Sequence, residues 1–287
     1  MIVKNPTYVK VEVPAPSRTN LLVNDKLEEL TVEDIALNDN TVTHIRDYAF
    51  SGLTSLKKVT LPSATLTIGQ NAFLNCSNLK NINFPINLQQ IGVYAFASSG
   101  ISGTRIFLNS NTNLLYGAFA YLWFDKLRYG KSGNTIQGAV VETAPQYSNY
   151  IEINEGVIGL DKNFNYRTKV NFLILPSTLT KILAGSGGSI KNIIIKAETP
   201  PTLTDTYYFN ILEKIYVPSA SISAYKSATN WASVSSKYYP LVNAYEDLSS
   251  IDTATYSFAC VKGNELGIED DDNYKTYQYI ESQWYEE

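Results

Sequence analysis

The chain has 287 residues, of which 44% are apolar, and a formal net charge of −4 at pH 7. That apolar share is ordinary for a folded protein and excludes a disordered polar chain. No apolar run reaches the ~18 residues that cross a membrane, and the weakly basic body carries no nucleic-acid footprint.

At the start, Val9, Val11 and Val13 alternate with Lys10 and Glu12, so Tyr8–Val13 reads as a strand that Pro14 and Pro16 break. Residues 1–20 form an N-terminal arm without the basic-then-apolar profile of a signal peptide. Either a leader has been removed or the protein leaves its host without one. A lone terminal strand needs a partner: the first coil, the tail, or the sheet of a neighbouring chain.

The next segment, 21–240, reads as one solenoid. Ala49-Phe50, Ala72-Phe73, Ala95-Phe96 and Ala118-Phe119 recur at a period of 23 residues. A fixed period of this length marks coils that stack only on their neighbours. Before each motif stands a short apolar-x-apolar run, often followed by proline, as in Val59-Thr60-Leu61-Pro62. Such alternation predicts nine rungs with inward pairs Ile35/Leu37, Val59/Leu61, Ile82/Phe84, Ile106/Leu108, Leu127/Tyr129, Ile151/Ile153, Leu173/Leu175, Ile193/Ile195 and Ile215/Val217. The expected architecture is a repeat solenoid of about nine coils. A β-ladder lies on one side, irregular or short helical segments on the other, and an appendage follows at the C-terminus.

The middle residue of each rung points outward. The later rungs thereby present Phe107, Arg128, Glu152, Ile174, Ile194 and Tyr216 as a candidate interaction face. The apolar last three are either an open patch or covered by the chain itself. Past the last rung, Ser219 or Ser221 can cap a helix, and Ile222, Tyr225, Ala228 and Trp231 follow at spacings of three. This predicts a short helix capping the solenoid, with Trp231 packed against it.

Charge shifts after Pro240. Residues 241–287 carry eleven acids and two lysines, a net of −9; residues 1–240 carry 21 bases and 16 acids, a net of +5. The acidic, tyrosine-rich segment 241–287 is expected to form a small separate module. It has too many aromatics for a purely solvated tail. Alternation at Tyr277 and Tyr279 favours strand over helix, and Tyr274, Tyr277, Tyr279, Trp284 and Tyr285 are its candidate contact residues.

Groups that could carry chemistry are few. The only histidine, His44, occupies the slot that Thr67, Gln90 and Asn113 fill in other coils, so it reads as a surface residue. Ala184–Ser189 (AGSGGS) lacks the lysine of a phosphate loop, and the consecutive acids Glu269–Asp272 lack the alternate ligands and glycine of a calcium loop. Cys76 and Cys260 do not make a disulfide framework, and Cys76 reads as a buried free thiol. No catalytic residue, metal ligand or cofactor site is assigned.

The string IGQNAFLNCSNLKNINFP, with Ile68, Gly69, Ala72, Phe73, Cys76 and Leu79, resembles the BspA-like leucine-rich repeat family. So do IGVYAF and the later LEKIYVPSASISAYKSATNWASV; the resemblance covers about residues 30–240. Other coils depart from it, with Leu53 and Ser99 in place of the cysteine and Arg46 and Leu115 in place of the glycine. The resemblance implies an unusual leucine-rich repeat solenoid. It also implies a role like that of its relatives, mostly bacterial or protist surface proteins that bind host proteins or other cells. The expected function is therefore non-enzymatic protein interaction or adhesion at a bacterial surface. The alternative is a phage virion component, such as a fibre, decoration or adaptor subunit, anchored through its ends. The partner would be a host surface protein or a neighbouring virion subunit, with a glycan as a further ligand class, and no nucleic acid or membrane insertion is expected.

Overall fold

The computed structural model describes residues 34–37, 42–164, 166–183, 188–204 and 211–241, and the backbone alone at 242–245, 258–262, 274–280 and 283–286. The N-terminal arm, most of the AGSGGS stretch and the Glu269–Asp272 run lie outside these residues.

The chain winds as a parallel β-solenoid of about eight turns with little helix. Its rungs are Asp34–Ala36, Lys58–Thr60, Asn81–Ile82, Arg105–Phe107, Lys126–Tyr129, Ser148–Ile153, Lys169–Leu175, Ser189–Ile195 and Lys214–Pro218. Within each of the two ladder sheets the first residue of every expected inward pair stacks on its counterpart. Ile35 pairs with Val59, Val59 with Ile82, Ile106 with Leu127, Leu127 with Ile151, Ile151 with Leu173, Leu173 with Ile193, and Ile193 with Ile215. The register follows from side-chain alternation. A slip of one residue would turn every apolar pair of a rung to the outside.

The opposite side is not wholly irregular. Two-residue strands at His44–Ile45, Thr67–Ile68, Gln90–Ile91 and Asn113–Leu114 form a second parallel ladder, and Thr135–Ile136, Gly159–Leu160, Lys181–Ile182 and Thr202–Leu203 form a third. His44 pairs with Thr67, Thr67 with Gln90 and Gln90 with Asn113, the equivalence expected from the repeat. Gly69 and Gly92 sit where neighbouring coils approach closely. A Cβ on Gly92 would lie 2.6 Å from the Gln70 nitrogen and the Gly69 carbonyl carbon.

The Ala-Phe motifs close each early coil. Phe50, Phe73, Phe96 and Phe119 stack with ring centroids 5.1, 5.0 and 5.5 Å apart. Alanine leaves room for the turn, and its carbonyl accepts the amide of the preceding coil's phenylalanine: Phe50 to Ala72, Phe73 to Ala95 and Phe96 to Ala118. Phe119 bonds instead to Val140, so Val140-Val141 takes the Ala-Phe place and explains where the motif fades. Phe96→Leu keeps an apolar filler but loses both flanking ring stacks. Aromatic pairs are worth about 0.5–1.5 kcal/mol beyond area burial, so stability should fall by roughly 1–2 kcal/mol. An unchanged urea midpoint would leave the stack without an energetic role.

Several buried polar groups inside the coils bond to neighbouring coils. Thr112 Oγ1 donates to the Leu88 carbonyl, and Asn154 Nδ2 donates to the carbonyls of Leu108 and Gly130. The Cys76 thiol donates to the Phe50 carbonyl at 3.0 Å. Burial pushes it up to about 11, against a smaller lowering by a backbone contact at Leu53, so this free thiol is unreactive at neutral pH.

The helix expected near the end is present at Ile222–Ser227, with Ser221 at its N-cap position but without a side-chain capping bond. It does not end the ladder. Tyr238–Tyr245 follows, pairs in parallel with the last rung, and crosses the charge boundary at residue 240. The backbone of the C-terminal segment continues from this strand. Phe258–Lys262 pairs in parallel with Tyr238–Tyr245, and Tyr274–Ile280 and Gln283–Glu286 add antiparallel strands, so the tail prolongs the ladder sheet. The predicted strand at Tyr277 and Tyr279 lies within this extension.

Candidate functional site

The outer face of the ladder is open at one end and covered at the other. Ala36, Thr60 and Asn83 are exposed, and Phe107 is 49% exposed. From the fifth rung onward the outward residues are closed off: Arg128 is 9% exposed, Glu152 4%, Ile174 and Ile194 0%, and Tyr216 2%. Of the six residues expected to form an interaction face, Phe107 alone is open.

The reason differs along the ladder. Arg128 lies over the Phe107 ring, its guanidinium carbon 5.2 Å from the centroid. Glu152 is enclosed by cations, with Lys126 Nζ at 3.0 Å and Lys196 Nζ at 3.3 Å. Burial alone would raise the Glu152 carboxyl. Lys196, Lys126 and Arg128 overcome that and hold it down at about 2. Ile174, Ile194 and Tyr216 do point away from the coil interior. They form a small apolar cluster of their own with Leu241, against which Tyr150 and Phe172 pack. This part of the face is an outer core, not a free surface. The tail candidates Tyr274, Tyr277, Tyr279, Trp284 and Tyr285 lie on the added strands, and only their backbone is described.

Within the open half lies a feature that the sequence reading does not anticipate. The ladder breaks between its third and fourth rungs: one sheet ends at Asn81–Ile82, and the next begins at Arg105–Phe107. Two local causes are visible. Asn83 turns its carboxamide onto the second rung, accepting from the Leu61 amide at 2.6 Å and donating to the Leu61 carbonyl at 2.9 Å. Ile101 stands five residues ahead of Ile106, whereas Leu56 and Leu79 stand three ahead of Val59 and Ile82. The extra Ser102-Gly103 is held by the following coil, where Gly103 donates to the Trp123 carbonyl at 2.7 Å. Ile82 and Phe84 are consequently half-buried, while the inward residues of the other rungs are buried. The result is a cleft of about 370 Å³. The one signal that could have revealed it is the lengthened spacing before Ile106.

Elsewhere the described residues offer little chemistry. His44 is exposed, with Nδ1 2.6 Å from Thr43 Oγ1. Among the described residues no group of three or more His, Cys, Asp or Glu could hold a metal ion, and no helix is long and apolar enough to cross a membrane.

No curated protein matches the chain. Solved structures that are similar in part include a leucine-rich repeat protein and a vaccine antigen. A leucine-rich repeat protein from Bacteroides ovatus is 20% identical with a TM-score of 0.37, over 65% of this chain and 55% of that one. The chain thus spans about half the length of that protein. The pneumococcal vaccine antigen PcpA is 16% identical with a TM-score of 0.28, over 69% of each chain. Residues 24–147 match a family model, the BspA type leucine rich repeat region, in six copies. Those copies take in the Ala-Phe coils and the broken ladder described above.

Proposed function

We propose that this is a non-enzymatic repeat protein that contacts a protein partner at a bacterial surface through the open, N-terminal half of its ladder. The observation that carries the reading is the division of the outer face. Rungs five to nine are closed by ion pairs and apolar packing, whereas Thr60, Asn83, Arg105 and Phe107 are exposed. A rigid scaffold with one uncovered β-face suits recognition, since solenoid surfaces are extended and shaped by stacking alone. The repeat family supports the surface placement.

A photo-crosslinking residue placed at Thr60 or Phe107, in the cells or particles that make the protein, tests this. Tyr121, 49% exposed on the turn side, serves as control. One defined protein adduct should form from the ladder positions and none from Tyr121. Adducts from Tyr121 alone would move the contact to the turns and sink the proposal. The same adduct recovered from intact cells by surface labelling, and not from virus particles, is the expected outcome for location.

A further inference from the structure

We infer that the cleft between the third and fourth rungs binds an extended, acidic polypeptide segment of a partner, which pairs its backbone with the two facing strand edges. The inference rests on the protein-contact reading above and gives it a site and a ligand chemistry.

Three observations fix that chemistry. The first is charge. Lys58, Lys80 and Arg105 line the cleft, and no acidic residue does. Arg105 is held from behind by Asp125, whose carboxyl lies below the usual range chiefly because of that bond. Among the described residues Lys58 and Lys80 have no ion-pair partner. A ligand bearing carboxylates would supply one.

The second is the backbone. Asn81–Ile82 pairs with Lys58–Thr60 on one side, and Arg105–Phe107 pairs with Lys126–Tyr129 on the other. The edges that face each other across the cleft carry no strand pairing. Free strand edges are templates for another strand, which favours polypeptide over a glycan. The third is the floor. Ile82 and Phe84 are half-buried there, so an extended segment with alternate apolar and acidic side chains meets an apolar floor and a cationic rim. The volume lies within the ~300–1,000 Å³ usual for ligand sites.

The probe is a fluorescein-labelled, amidated heptapeptide of alternating valine and glutamate, titrated by anisotropy against the full chain. Its controls are the valine–lysine peptide, the same Val-Glu peptide N-methylated at alternate amides, and a heparin fragment. The Val-Glu peptide should bind saturably, more weakly at higher salt, and the lysine peptide should not bind. The double variant Lys58→Glu/Lys80→Glu should lose at least tenfold in affinity, and N-methylation should cause a comparable loss. Both lysines are exposed, and an unchanged circular dichroism spectrum confirms that the variant folds.

Affinity insensitive to the double variant, or to N-methylation, would overturn the inference. So would heparin binding that depends on the two lysines while the peptide stays silent, an outcome that assigns the cleft to acidic glycans. The crosslinking experiment separates the two readings. Ladder adducts retained in a protein that fails to bind the peptide would remove the cleft and keep the protein contact. Loss of both would remove both.

Discussion

Glu152→Ala should lower the stability of the solenoid by about 3–5 kcal/mol at neutral pH, the usual effect of removing one partner from a buried ionic cluster. The carboxylate is 4% exposed and touches Lys126 and Lys196, with Arg128 close by. Its loss removes the carboxylate on which Lys126 and Lys196 converge, on a face that is covered. Glu155 cannot replace it: its oxygen is 3.8 Å from Lys196, and its carboxylate is engaged by the amide and hydroxyl of Ser177. The same cluster makes a pH prediction. The folded carboxyl is held down at about 2, below its ordinary value of 4.5. A depressed carboxylate contributes stability that is fully present above the unfolded value and is lost as pH falls through the folded one. The gap in stability between the wild-type protein and Glu152→Gln should therefore be constant from pH 7 to about 5 and close between about pH 4.5 and 2. Urea midpoints measured across that range check it. A gap that stays open at pH 2, or one that is absent at pH 7, would show that Glu152 is not the anchor of this face.

The Glu152 cluster also shows where sequence reading runs out. Alternation of side chains is a local, geometric property, and it placed Ile35, Val59 and Ile82 in one stacked file, Ile106, Leu127 and Ile151 in the next, and His44 in the correct neighbouring file. It equally placed Glu152 and Ile174 on the outer side of the wall. What lies over an outer wall is set by contacts between residues far apart in sequence, so the burial of Arg128 and Glu152 was not legible, and for Ile174, Ile194 and Tyr216 the sequence offered cover by the chain itself only as one of two alternatives. An outward glutamate reads as solvated until Lys126 and Lys196, one and two rungs away, are seen to converge on it. The two-residue strands of the second and third ladders are too short for any period to register. The cleft needed two small events to coincide: the turn of one asparagine side chain onto the backbone of the preceding rung and two residues gained before Ile106. Each looks like ordinary loop variation by itself. In the tail, alternate tyrosines announced strands, but nothing in them announced that the strands would continue the ladder.

Trp231→Ala should cost about 3–5 kcal/mol, the range for emptying a large buried aromatic site, and its effect should be confined to one end of the molecule. Trp231 is 1% exposed and meets Tyr225 edge-on at 5.5 Å. Its indole nitrogen donates to the Pro201 carbonyl at 2.7 Å, beside the bonds from Asn230 to the Leu203 carbonyl and from Tyr225 to the Ala197 carbonyl. These three bonds clip the helical segment onto the coil that holds Thr202–Leu203, the final strand of the third ladder. The side chain thereby closes the last interior layer and is too enclosed to stack on a ligand. Because each coil of a solenoid is stabilised by its neighbours alone, the defect should spread by fraying. In hydrogen exchange, protection should fall across residues 189–241 and persist in the early coils around Phe73 and Phe96. Trp231→Phe keeps most of the filler and loses the donor, so it should retain the larger part of the protection. Uniform loss from end to end would show one cooperative unit in place of stacked ones, and full protection in Trp231→Ala would remove the tryptophan from its place as the cap.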